Sequence, residues 1–225
     1  MVLAVCTVLA WQNATAAQDC YAAATPGVNW QECDKKLLIL EGQDLSGANL
    51  FGVDFTSTDL RNSNLLSANF EKATLVRASL AGSTAKGARF DKIEAYRTDF
   101  SHMDAQGAVF TGAEVQRSNF QDANLVNVDF TKAELGRAQF HDADISGSHF
   151  SFANLARADF RGAKFTAPID FEGAFFFLTR IEGLDLSNSA GLSQWQLNMA
   201  CGDARTELPS GMTRPENWPC QFQQE

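Results

Sequence analysis

From Leu45 to Phe165 every fifth residue is apolar, without a break. The series begins Leu45, Leu50, Phe55, Leu60, Leu65, Phe70 and ends Phe150, Leu155, Phe160, Phe165. Two residues before each, from Leu50 on, stands a small or apolar side chain, most often alanine, as at Ala48, Ala68, Ala73, Ala78 and Ala88. Asp, Asn, Ser, Thr, Gly and Arg fill the places between. A period of five matches neither the 3.6 of a helix nor the 2.0 of a strand. The tract is therefore a tandem repeat, and it excludes both regular alternatives over more than half of the chain. It also accounts for a lopsided aromatic usage, 18 Phe against 2 Tyr and 4 Trp.

Segments such as Ala48-Asn49-Leu50 and Ala158-Asp159-Phe160 repeat the pattern A-(D/N)-(L/F)-x-x. In this the tract resembles the pentapeptide-repeat family. The resemblance implies an all-β fold, a right-handed quadrilateral β-helix in which each pentapeptide forms one side and four form a coil. The central residue and the one two before it then point inward, and residues twenty apart lie above one another. At an inter-strand spacing of ~4.8 Å the coil steps from Leu45 to Phe165 span roughly 29 Å.

That rule sorts the core into columns. One side carries Leu50, Phe70, Phe90, Phe110, Phe130 and Phe150, and the opposite side Leu60, Leu80, Phe100, Phe120, Phe140 and Phe160. The sides between carry Leu65, Ala85, Ala105, Leu125 and Leu75, Ala95, Val115, Leu135. Small residues thus leave room where the rings need it, as close packing requires. The expected organisation is a secretory segment 1–17, an N-terminal cap 18–37, the solenoid 38–187, and a C-terminal cap helix and tail 188–225.

The ends carry separate signals. Val2 to Trp11 is apolar, too short to span a bilayer, and Ala14-Thr15-Ala16-Ala17 suits a cleavage site after Ala17. No Lys or Arg precedes Lys35, so the usual basic start is missing; the alternative is an apolar helix capping the solenoid. Leu3-Ala4-Val5-Cys6 is a poor lipobox. Setting Cys6 aside, Cys20 and Cys33 precede the tract and Cys201 and Cys220 follow it. In the solenoid that the resemblance implies, the two ends lie far beyond the ~7 Å a disulfide spans, leaving Cys20–Cys33 and Cys201–Cys220. Such bridges would cross-link the terminal coils, whose core needs covering, and caps of this kind resemble those of exported pentapeptide-repeat proteins. Lys35 falls at an inward position, so local distortion is expected there. The phase slips by one at Ala167-Pro168 and resumes with Ile169/Phe171. Ser193-Gln194-Trp195-Gln196 reads as a capping box opening a helix that covers the last coil with Trp195 and Leu197.

Nothing in the sequence looks catalytic, and no cofactor is expected. His102, Asp122 and Asp142 share a column, with His141 beside the last, but solvated surface explains them as well as a metal does. Asp and Asn recur one before the central residue (Asp44, Asn49, Asp54, Asp59, Asn64, Asn69) and are expected to bond the corner backbone. With a net charge of -9, neither nucleic acid nor an anionic membrane is an expected partner. Phe175 and Phe177 flank inward Phe176 and point outward. The tail is expected to cover them; uncovered, they mark contact with a partner or a second copy, making a homodimer conceivable.

Arg77, Arg97, Arg117, Arg137 and Arg157 stand twenty apart. Glu94, Glu114 and Glu134 lie three residues before the middle three and are expected to form a salt-bridge ladder with them; Arg77 and Arg157 have Thr74 and Asn154 there instead. The sharper reading makes the arginines a docking strip for a carboxylate-bearing partner. The expected function is a non-enzymatic module of the bacterial periplasm, or a secreted one, that presents rigid faces to an unidentified protein. The alternative is a cytosolic DNA mimic that binds or protects a type II topoisomerase, as the resemblance allows.

Overall fold

The computed structural model describes residues 18–221. The expected secretory segment and Cys6 lie outside the described residues. The chain winds into a four-sided solenoid whose sides are so short that each contributes one parallel-bridged residue. One side runs Asn29, Asn49, Asn69, Arg89, Val109, Asp129, His149, and the next Asp34, Asp54, Thr74, Glu94, Glu114, Glu134, Asn154. The two remaining sides start at Ile39 and Asp44 and climb in the same twenty-residue steps.

The hydrogen bonds explain why five residues close one side. The central residue donates up to the next coil (Leu50 N to Asn69 O, 2.8 Å) and the residue before it donates down (Asn49 N to Val28 O, 2.9 Å). The corner closes with an i to i+3 bond (Val53 N to Leu50 O, 3.2 Å). The last corner residue takes the left-handed conformation, open to glycine and costing other residues about 1–2 kcal/mol. Gly82 fills it at φ +68, Arg117 at φ +58.

The core is a stack of phenyl rings. Phe90 lies over Phe110 with centroids 4.6 Å apart, and Phe110 over Phe130 at 5.1 Å. Across the core the rings meet edge to face, Phe100 to Phe110 at 5.8 Å and Phe110 to Phe120 at 5.9 Å. Both arrangements suit the aromatic quadrupole. Buried hydroxyls add bonds the sequence reading did not anticipate. Thr98 Oγ1 donates to Leu75 O, Ser118 Oγ to Ala95 O and Ser148 Oγ to Leu125 O, each at 2.6 Å. Each ties one coil to the coil before. Outside the core, Gln116 sits half-buried at a corner, and Gln116→Ala is expected to change stability by no more than about 0.5 kcal/mol in a denaturant titration.

The outward Asp and Asn side chains bond the corner backbone. Thr56 N donates to Asp54 Oδ1 at 2.9 Å, Arg61 N to Asp59 Oδ1 at 3.1 Å and Leu66 N to Asn64 Oδ1 at 3.2 Å. Some also ladder between coils, as Asn124 Nδ2 does to Asp104 Oδ1 at 2.9 Å. The Arg61 side chain and backbone hold the Asp59 carboxyl below its ordinary 3.8. At Asp159 burial pushes the other way, but bonds from Arg161 and His141 outweigh it and the carboxyl again titrates low. These groups are depressed in the folded chain, so their contribution is complete above the unfolded value and lost as pH falls through the folded ones. The melting temperature is expected to stay level down to about pH 4 and to fall below it; a fall beginning near pH 6 would contradict this.

Several features differ from the sequence expectation. Parallel pairing begins at Asn29, so residues assigned to the cap before 38 already form solenoid. Lys35 does point inward and is buried, yet the ladder runs through it undistorted (Lys35 N to Asp54 O, 2.8 Å). Its ammonium lies 3.8 Å from the centroid of the Trp30 ring and donates to Cys20 O at 2.7 Å. Burial lowers its pKa, with nearby Asp19 opposing. The length of the lysine stem is the reason: it carries the charge past the core to the open end.

The phase slip at Ala167-Pro168 shows in the pairing, since His149 bridges Asp170 and Asn154 bridges Phe175. Beyond it a six-residue helix, α1 (Gln194–Met199), starts at a Ser193 capping box. Leu197 is buried, but Trp195 is 61% exposed and does not cover the coil. Gln196 faces the stack in its place, and its Nε2 donates to Phe171 O at 2.8 Å and Ala174 O at 3.0 Å. An exposed end of a ladder needs donors more than it needs an indole. Trp218, from the tail, packs on Gly202 and donates from Nε1 to Ala200 O at 2.7 Å. No helix among the described residues is long and apolar enough to cross a membrane.

Candidate functional site

The arginine column occupies one corner of the solenoid. All five arginines are exposed and left-handed, with φ between +57 and +60. Their backbone N–H groups join successive coils, Arg117 to Gly136 O at 2.9 Å and Arg157 to Phe177 O at 2.8 Å. Each of the other three corner columns contains glycines, among them Gly47, Gly112 and Gly82. This one reads Leu37, Ser57, five arginines, Leu178, with no glycine. Five arginines therefore stand where glycine is the easier residue.

The expected salt bridges to Glu94, Glu114 and Glu134 do not form. None of the five guanidinium groups has a carboxylate within 4.0 Å among the described residues. The corner is the reason. The glutamates sit in the bridged middle of one side, whereas the arginines follow the turn that leaves that side. Glu134 instead accepts from Asn154 Nδ2 at 2.7 Å. Arg97 and Arg117 lie 5.2 and 5.9 Å from the Tyr96 ring centroid, a contact the sequence reading missed.

Both ends of the column are apolar and open. Leu37 and Ile39 are 77% and 83% exposed. At the far end Phe175 and Phe177 remain 41% and 45% exposed, their rings nearly parallel at 6.2 Å. The tail does not cover them: it is drawn over α1 and Gly202, where Trp218 anchors it.

The other candidates resolve differently. Cys20 and Cys33 are bridged, with Cα atoms 5.5 Å apart, and so are Cys201 and Cys220 at 5.3 Å. His102 lies 3.8 Å from Asp122, but His141 turns to Asp159 at 2.9 Å, beside Arg161. No three His, Cys, Asp or Glu side chains among the described residues are grouped to hold a metal ion.

The family model for pentapeptide repeats matches eight copies, over residues 39–66, 63–101, 96–131 and 133–167. The chain belongs to the pentapeptide-repeat family. Solved pentapeptide-repeat proteins similar to it include HetL, involved in heterocyst differentiation regulation in the cyanobacterium Nostoc sp. strain PCC 7120. That protein is 22% identical, over 82% of this chain and 90% of its own, with a TM-score of 0.27. QnrB1, a plasmid-mediated fluoroquinolone resistance protein, is 22% identical over 79% and 83%, with a TM-score of 0.29. A pentapeptide-repeat protein of the Arabidopsis thaliana thylakoid lumen is 28% identical over 54% and 67%, with a TM-score of 0.27. No curated protein matches the chain.

Proposed function

We propose that this pentapeptide-repeat chain is a non-enzymatic binding scaffold of the bacterial periplasm or the secreted space, which docks a protein partner along its arginine corner and on Phe175 and Phe177. One observation carries this reading: five arginines in one column, none with a carboxylate within 4.0 Å of its guanidinium group among the described residues. Neighbouring groups stand about half a Debye length apart at physiological salt, close enough to repel. A surface that keeps unneutralised like charges in a column, at a backbone conformation that disfavours arginine, is poorly explained by stability alone. The two disulfide-bridged ends support an oxidising compartment. The Asp and Asn side chains, engaged with their own corners, give no support to DNA mimicry.

Arg117→Gln with Arg137→Gln tests the reading. Crosslinked recovery of the native partner is expected to fall at least tenfold while the melting temperature changes by less than ~2 °C. Unchanged recovery would reduce the column to surface chemistry. Fractionation of the host with and without reducing agent tests the compartment; a reduced chain in the cytosolic fraction would overturn it.

A further inference from the structure

The arginine corner also carries a geometric signature. Resting on the docking reading above, we infer that its occupant is an acidic α-helix, with carboxylates on one face and an apolar residue at each end. Three observations lead there.

The first is charge. None of the five guanidiniums has a carboxylate within 4.0 Å among the described residues, which leaves them open to the carboxylates of a ligand. The second is spacing. Coils rise by ~4.8 Å, so Arg77 to Arg157 covers four steps, about 19 Å. A helix presents one residue of a face every ~5.4 Å, about 22 Å over four turns, a drift that flexible arginine stems absorb. A strand presents every second residue, ~6.7 Å apart, about 27 Å over four steps, and falls out of register. The third is the frame around the charges. Beside the arginines runs an uncharged line, Val76, Tyr96, Gln116, Gly136, Ala156, Phe177. Its small members at Gly136 and Ala156 leave room for the edge of a helix. Leu37 and Ile39 lie beyond one end of the arginines, Phe177 and Leu178 beyond the other. Glu94, Glu114 and Glu134, exposed on the side before the corner, and the outward Asp side chains on the other sides would repel an acidic helix that strays from the arginines, which holds it to the line of the corner itself.

Three probes test the inference on the full chain by fluorescence anisotropy. The first is a helical peptide of about 22 residues with five Glu at i, i+4, i+7, i+11 and i+14 and Leu at both ends. The second has the same composition with Glu at alternate positions, and the third is polygalacturonate. The helical probe is expected to bind at least tenfold tighter than either, and to lose at least tenfold in Arg117→Gln/Arg137→Gln but not in Lys164→Gln/Arg205→Gln. Equal or tighter binding of the alternating peptide or of polygalacturonate overturns the helix while leaving the docking corner intact. No binding of the helical probe overturns it as well, and partner recovery then judges the corner alone. Equal binding of all probes by the arginine double variant overturns both.

Discussion

Phe110→Ala is expected to destabilise the chain by about 3–5 kcal/mol, the largest effect of any single truncation proposed for this solenoid. Phe110 is fully buried between the rings of Phe90 and Phe130, with the edges of Phe100 and Phe120 closing the other directions. Each of the four neighbours donates its backbone N–H to the next coil, and the residue before it donates to the previous one. The walls of the void therefore cannot collapse, and the loss of contact adds to the loss of burial. For a chain of this length the melting temperature should drop by roughly 10 °C. Denaturant titration beside Gln116→Ala checks the claim. Comparable losses in the two variants would mean that the inward column is misassigned.

Removing the C-terminal bridge ranks next. Cys201→Ser with Cys220→Ser is expected to cost about 2–4 kcal/mol, through the unfolded chain it no longer restrains. A second contribution comes from the cap. The bridge holds the tail where Trp218 reaches Ala200 O and covers Gly202, above Leu197 and the last rings. Freed, the tail no longer shields the final coil, and apolar dyes should bind an end that repels them in the native chain. Melting in the presence and absence of reductant measures the effect. Peptide mapping of the unreduced protein checks the pairing itself; a bridge joining the two ends would exclude the straight solenoid as well. An unchanged melting temperature would show that α1 and Trp218 seal the stack unaided.

The solenoid is readable from residue spacing because every coil poses the same demand. A side chain that must point inward recurs at a fixed distance, and Pro168 announces the one interruption. Chemistry that depends on where a corner turns is not readable in that way. Glu114 and Arg117 are three residues apart, a pairing distance on a helix, but the corner between them sends them to different sides. A six-residue helix is equally opaque, since its period cannot say whether Trp195 or Gln196 meets the stack. The carbonyls of Phe171 and Ala174, which Gln196 Nε2 reaches, decide it, and they become visible only once the coils are closed. Ser118 and Thr98 look like substitutes for alanine until their bonds to the coil before are drawn. Lys35 looks like an error until the open end is seen beside it.

That open end makes the molecule directional. Among the described residues, neither the N–H nor the C=O of Ile39, on the first coil, has a bonded partner, and Leu37 and Leu38 beside it are exposed. Both ends carry a covalent bridge, but the opposite one adds a helix and the Trp218 indole over its last coil. In a stack where each coil leans only on its neighbours, unravelling starts where the fewest bonds must break. The chain should therefore come apart like a spring released at one end, shedding the Leu37–Leu40 side first while the turns beneath α1 stay wound. The arginine corner spans both regimes: Arg77 belongs to the turns that loosen early and Arg157 to those that hold. A ligand lying along all five would splint the loose turns to the firm ones, and its grip would be felt as stiffness at the far end of the coil.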